Sequence, residues 1–325
     1  MWFALGTFDA DDTAFPGLVV QDAVIDLRPS FGEGATVEGM LQDWDATLAD
    51  LHDLADEAGD LPSVALDDLR VLAPLRPRQL LCAGANYFRH VRQIVASTLR
   101  NGGDERSEDD LQAEADRIAH ARAASGTPFL FPGLPSAVTG PYDDVVLRGP
   151  GVQHDWELEL GVVIGRTAHC IGPDEAMDVV AGYVIGNDIS TRDVMTRPDL
   201  PMTDFIMSKS RPTFFPTGPY LVPRGCVPDP RELRLTLSVN GEVMQDDTVD
   251  DIIYGIEQLI SYASHAAVLG PGDLLLTGSP AGNAGHHGNR WLAPGDVIDA
   301  EITGLGRQRN RCVAPPGEAD TAPRP

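Results

Sequence analysis

Residues 155–165, DWELELGVVIG, set two glutamates and two leucines in strict alternation ahead of a short apolar run. A period of two is that of a β-strand, so Glu157 and Glu159 leave one face while Leu158 and Leu160 leave the other. Two carboxylates that close repel each other, and without a cation at least one tends to take up a proton. The pair therefore marks either a solvated edge-strand face or a cation site.

Working outward, the apolar run VVAGYVIGND (179–188) ends at Asn187-Asp188 and leads into ISTRD, where Ser190 or Thr191 stands in position to cap a short helix. Asp188 is then either a turn residue or a third carboxylate. Three carboxylates would make an all-oxygen site suited to Mg²⁺, Mn²⁺ or Ca²⁺. Of the 24 basic residues only Lys209 is a lysine, set among apolar residues in FIMSKSRPTFFPTGPYL (205–221). An arginine-rich chain that retains one lysine has kept it either by chance or for its chemistry. In LLLTGSPAGN (274–283) a strand runs into a Gly-Ser-Pro turn, either an ordinary turn or a loop whose backbone N–H groups hold an anion.

From Pro128 onward strand-like runs dominate, interrupted by one amphipathic helical pattern at DDIIYGIEQLISYASHAAVLG (250–270) with Ile252, Ile256, Leu259, Ile260 and Ala263 on one face. Strands with few intervening helices predict an α+β fold rather than a doubly wound sheet. Residues 1–75 read as a small N-terminal domain containing an acidic helix with Leu48, Leu51 and Leu54 near helical spacing. Residues 76–313 read as the main domain. Within it, 88–124 is helical with a break at NGGD and a thin stripe of Leu111, Ala115 and Ile118, so that 88–127 is a candidate lid or insertion. The Pro-rich end, 314–325, reads as a disordered tail.

A formal charge of −25 over 325 residues repels nucleic-acid phosphates and anionic membranes, so neither is an expected partner. The first residues carry no basic leader, and no long apolar run predicts a membrane span. Cys82, Cys170, Cys226 and Cys312 lack zinc or CxxC spacing and read as free thiols in a reducing cytoplasm.

Seven ordered blocks resemble the fumarylacetoacetate hydrolase family from about Leu80 to Cys312: CAGANYFRH (82–90), PSAVTGP (135–141), DWELELGVVIG, GYVIGNDISTRD (182–193), MSKS (207–210), LTGSPAGN (276–283) and PGDVIDAEITGLG (294–306). The resemblance implies a mixed β-roll catalytic domain, a homodimer, and a metal held by Glu157, Glu159 and Asp188. It also implies an active-site Lys209, a water-activating His90, and substrate contacts from Arg192, Ser279, Gly278 and Tyr87. The implied reaction is metal-dependent hydrolysis of a C–C bond in a 2-oxo or 1,3-diketo acid such as an acylpyruvate. Decarboxylation or tautomerisation of a 2-oxo acid, and carboxylate binding without turnover, are the alternatives.

Three positions depart from the family pattern. Gln93 stands where many members carry a glutamate that orients and charges the histidine, so Gln93 is expected to orient His90 without stabilising its protonated form. No lysine precedes Ser136, which points to a less anionic or more apolar substrate tail. Met195 replaces a glutamine of some members.

Overall fold

Glu157 and Glu159 lie at the start of a strand, Leu158–Ile164, that is buried along its whole length. This computed structural model describes residues 2–317, so the tail expected over 314–325 lies mostly outside the described residues. The strand is the third of a six-stranded sheet ordered Val222–Pro223, Val180–Asn187, Leu158–Ile164, Leu274–Leu276, Leu80–Ala83, Leu130–Gly133. All neighbours pair antiparallel except Leu274–Leu276 with Leu80–Ala83.

The two faces of this sheet pack against different layers, as the period of two requires. Leu158, Leu160, Val162 and Ile164 join one core with a second, five-stranded sheet ordered Glu242–Thr248, Arg234–Val239, Val297–Ile302, Gly306–Val313, Val145–Val146. Val163, Val184, Leu274 and Leu276 join another core with the N-terminal layer. With both faces covered, the solvated-edge reading of the glutamate pair falls. The α+β expectation holds.

The N-terminal layer is a five-stranded sheet built from residues 4–71, and it carries the helix α1 (Trp44–Asp56). Phe3, Leu5, Leu18 and Leu41 enter the same core as Leu80 and Leu276. Leu5 and Leu221 exchange backbone hydrogen bonds of 2.9 and 2.8 Å, tying the layer to the edge of the central sheet. The buried face of α1 is Trp44, Thr47, Leu51 and Ala55, with Leu48 and Leu54 only flanking it. Trp44 carries the larger apolar surface and sets the helix rotation.

Two helices follow Leu80–Ala83: α2 (Phe88–Asn101) and α3 (Glu108–Ser125). The Ser107 hydroxyl accepts from the Asp110 N–H at 3.2 Å, and Glu108, Asp109 and Asp110 fill the positive first turn of α3. Its buried stripe is Leu111, Ala115 and Ala119; Ile118 falls one position out of phase and is only half-buried. Further on come the short helix α4 (Phe205–Lys209) and the amphipathic α5 (Ile256–Ala266). Gly255 caps α5, so Ile252 precedes the helix, where the sequence pattern had placed it inside. There Tyr254 N–H donates to Asn86 Oδ1 at 3.0 Å, drawing the backbone out of helical geometry. Among the described residues no helix is long and apolar enough to cross a membrane, and the four cysteines form no disulfide.

The central sheet tolerates little added bulk where Val180–Asn187 meets its edge strand. A Cβ on Gly182 would stand 2.1 Å from the Val222 carbonyl oxygen, a backbone atom fixed by pairing. Gly182→Ala is expected to destabilise the fold by about 1–3 kcal/mol, read as a lower urea midpoint. An unchanged midpoint would contradict this close approach.

Candidate metal and active site

The carboxylates of Glu157, Glu159 and Asp188 each offer an oxygen within 4.8 Å of the others. Backbone lacing between two strands produces this convergence. Asp188 N–H donates to the Glu157 carbonyl at 2.8 Å, and Glu157 N–H donates to the Asn187 side-chain oxygen at 3.0 Å. A third segment supplies Gly278, whose N–H donates to Glu159 Oε2 at 2.7 Å. All three acids are nearly withdrawn from water, Asp188 completely.

Two cations lie against them. Lys209 Nζ donates to Glu157 Oε2, to Asp188 Oδ2 at 2.6 Å and to Ser190 Oγ at 2.7 Å, which occupies its three N–H bonds. Arg192 donates through Nε to Asp155 Oδ2 and through a terminal nitrogen to Glu157 Oε1, each at 2.8 Å. Burial pushes Glu157 up, but Arg192 and Lys209 outweigh it and hold that carboxyl well below its usual range. Glu159 lacks such a cation; burial, then Asp188 and Glu157, raise it well above the ordinary value. Burial likewise pushes Asp188 up to about 7 against the pull of Lys209. The repulsion anticipated from Glu157 and Glu159 is therefore present.

Such a donor set fits a divalent cation. Asp188 Oδ1 is buried without a hydrogen-bond partner, and Glu159 receives only the Gly278 N–H. A hard cation at this point would answer an open lone pair and offset the charge that protonation otherwise removes.

The other expected site residues divide. His90, in the first turn of α2, is buried, neither ring nitrogen has a protein hydrogen bond, and Nδ1 is fully enclosed. Burial pushes it down to about 4, although Glu157 pulls the other way, so the ring is neutral. Gln93 does not orient it: the Gln93 side-chain oxygen accepts from Gly282 N–H at 3.4 Å and pins the turn after Ser279. Arg192, expected on a substrate carboxylate, is held by Asp155 and Glu157 instead. Gly278, expected to face substrate, positions Glu159. The Ser279 hydroxyl accepts from Gln245 Nε2 at 2.8 Å. Tyr87 is fully buried with its hydroxyl unpartnered, and burial followed by Glu159 holds that phenol far above its usual range. Ser190 caps no helix; its hydroxyl serves Lys209.

Three supporting residues escaped the sequence reading. Asp155 anchors Arg192 and accepts from Ala284 N–H at 2.8 Å; it precedes Glu157 by two, so the same alternation points to it. Gln245 accepts from Leu158 N–H at 3.1 Å and donates to Ser279 and Pro280 at 2.8 Å each, linking the glutamate strand to the Gly-Ser-Pro turn. Asn86 joins Thr277 and Tyr254, with Nδ2 donating to their carbonyls at 2.8 and 3.1 Å. Neither amide carries a local signal, because its partners are distant in sequence.

The chain is similar to several known proteins. The profile described as "Fumarylacetoacetate (FAA) hydrolase C-terminal" matches residues 79–313. The chain is 32% identical over 316 residues to the mitochondrial oxaloacetate tautomerase FAHD2A of Bos taurus, covering 94% of this chain and 90% of that one. It is 30% identical over 298 residues to a maleylpyruvate hydrolase of Aquipseudomonas alcaligenes, covering 89% and 93%. In fold it resembles the maleylpyruvate hydrolase of Sphingobium sp. SYK-6, solved in complex with manganese(II) ion and pyruvate, with a TM-score of 0.73 at 24% identity over 96% of this chain and 99% of that one.

Replacing Glu157 and Glu159 by Gln is expected to abolish Mn²⁺ binding in calorimetry while far-UV circular dichroism is unchanged; metal retained at full affinity would sink the assignment. At Gly278, φ is +98° and a Cβ would lie 2.9 Å from Asn86 Cβ. Gly278→Ala should weaken Mn²⁺ by about 10–100-fold through Glu159 alone.

Proposed function

The chain belongs to the fumarylacetoacetate hydrolase family and is an enzyme, and we propose that it is a divalent-metal-dependent hydrolase cleaving a C–C bond in an acylpyruvate-like 2-oxo acid. The observation that carries this reading is a neutral, buried His90 with no protein hydrogen bond, lying close enough to feel the Glu157 charge. A base held uncharged is the group that water attack on a carbonyl needs. The relative that is a maleylpyruvate hydrolase supports the same class.

Glu157, Glu159 and Asp188 would hold the cation, Mg²⁺, Mn²⁺ or Ca²⁺, which when bound would supply Lewis-acid polarisation of the 2-oxo carbonyl. His90 takes a proton from water as the water oxygen adds to the remote carbonyl carbon. The C–C bond then breaks, its electron pair passes to the pyruvate-end carbon, and a proton returns there. Lys209, with its donors spent on Glu157, Asp188 and Ser190, helps keep Glu157 ionised and holds both carboxyls in place. The helices α2 and α3 would close over the substrate as a lid and exclude bulk water.

A second reading keeps the site but drops the attacking water. With Gln93 turned to Gly282, nothing charges His90, and keto–enol conversion of a 2-oxo acid needs only the chelate and a proton carrier. The tautomerase relative covers 94% of the chain and supports this alternative.

Purified protein with Mg²⁺ and an acylpyruvate should yield two acids. His90→Ala should reduce that cleavage by about 10²–10⁴-fold while sparing enol-to-keto conversion of oxaloacetate; equal loss of both would make His90 a binding residue. Because the imidazole is depressed, its base form is present above about pH 4 and is lost only as pH falls through that value. The pH profile of kcat/KM should therefore show no limb near the ordinary histidine value of about 6.5.

We also propose a cytoplasmic homodimer. Phe129, Leu200, Met202, Ile206 and Met207 are exposed around α4, whose Phe205 stacks on Phe131 at 4.1 Å, and a second copy would cover this apolar face. Light scattering should give twice the chain mass for the wild type and a shift toward monomer for Met202→Asp with Ile206→Asp.

A further inference from the structure

Phe129 and Phe131 lead into the outer strand Leu130–Gly133 of the central sheet, and alternation sends both rings to one side of it, 6.3 Å apart between centroids. Phe131 stands opposite Cys82 in the pairing with Leu80–Ala83 and is buried. The plane of its ring is set by Phe205, the first residue of α4, which stacks on it at 4.1 Å with an interplanar angle of 8°. Lys209 ends the same short helix four residues on, so one helical turn brings it to the side of Phe205. Its Nζ lies over the Phe131 ring, 5.4 Å from the centroid.

The ammonium therefore lies between three oxygen acceptors, on Glu157, Asp188 and Ser190, and an aromatic face, which carries the negative part of the ring quadrupole. Two of those acceptors belong to the carboxylates that would hold a divalent cation. Their oxygens cannot serve both a metal and all the lysine N–H bonds, and the ammonium is repelled by the second positive charge. Lys209 is buried, so bulk water does not take up the released donors. We propose that Phe131 is a positioning residue for Lys209, its ring face anchoring the ammonium beside the carboxylates so that lysine and divalent cation occupy the site together. This rests on the reading of Glu157, Glu159 and Asp188 as a metal site. Cation–ring attraction extends to about 6 Å, so at 5.4 Å the ammonium has room to move inward, and the contact strengthens as the carboxylate oxygens are given up. The ring thereby favours the metal-loaded state over the empty one, and the stacked Phe205 keeps its plane from turning.

Calorimetric titration of the full chain with Mn²⁺ tests the proposal without requiring turnover. Phe131→Leu keeps the position apolar and should weaken Mn²⁺ by about 5–30-fold, the range of a desolvated cation–ring contact. A ring-fluorinated phenylalanine at position 131 keeps the shape and packing but removes the negative charge of the ring face. It should weaken Mn²⁺ to a similar extent with an unchanged urea midpoint. In the Lys209→Met background either replacement should change Mn²⁺ affinity by less than about twofold, because the group through which the ring acts is gone. Wild-type affinity in the fluorinated protein would overturn the proposal, as would an equal loss with and without Lys209, which would make Phe131 a packing residue only. A wild type that takes up no Mn²⁺ would refute the metal site and this proposal with it. Ring-dependent Mn²⁺ binding with no cleavage of any acylpyruvate would refute the hydrolase reading and support this one.

Discussion

Three carboxylates brought within 4.8 Å of one another and shut away from water are the constraint that the rest of the structure answers. In surroundings of intermediate dielectric each like-charged pair at 4 Å repels by about 4 kcal/mol. Folding alone would not hold such a cluster together without compensation. Lys209 and Arg192 supply part of it and act unequally: both serve Glu157, one serves Asp188, and Glu159 is left with a backbone N–H. The imbalance drives one carboxyl down and two up, and it leaves the arrangement one cation short. That shortfall is the physical content of a metal site.

The scaffold fixes these groups by hydrogen bonds that cross between segments rather than by helix or sheet ladders. Asn187 holds the backbone of Glu157, Gln245 holds that of Leu158, and Asn86 holds the strand that ends in Gly278. Each amide is buried, so leaving its partner unsatisfied would cost desolvation on top of the lost bond. The Gly-Ser-Pro turn is thereby positioned from both sides. Gln93 and Trp156 extend this hold to Gly282, the first through its N–H and the second to its carbonyl at 3.0 Å.

Alternation over DWELELG showed in the sequence which side chains share a face and that the two glutamates leave it together. Those are local properties, set by the strand period. The lone Lys209 was legible for the same reason, as a chemical exception within one segment. The partners of Arg192 and Gln93 were not, because an arginine or amide takes whichever acceptor the fold brings near, and Asp155 and Gly282 arrive from other segments. The rotation of α1 and the start of α5 slipped for a related cause: Trp44 and Asn86 exert forces that periodicity among leucines and isoleucines does not register.

One helix carries the proposed base and is tied to the segments around it. His90 opens α2, and Gln93 lies one turn on at the Gly282 turn. A rotation or withdrawal of α2 would therefore displace His90 and break the contact of Gln93 with Gly282 together. The ion pair of Arg92 with Asp116 ties that helix to α3, and Arg122 of α3 donates to the Gly84 carbonyl at 3.1 Å, just after the strand Leu80–Ala83. Under the proposed function, substrate contacts that hold α2 in place would be expressed in the alignment of His90, which is how interactions remote from the reacting carbon raise a rate rather than only an affinity.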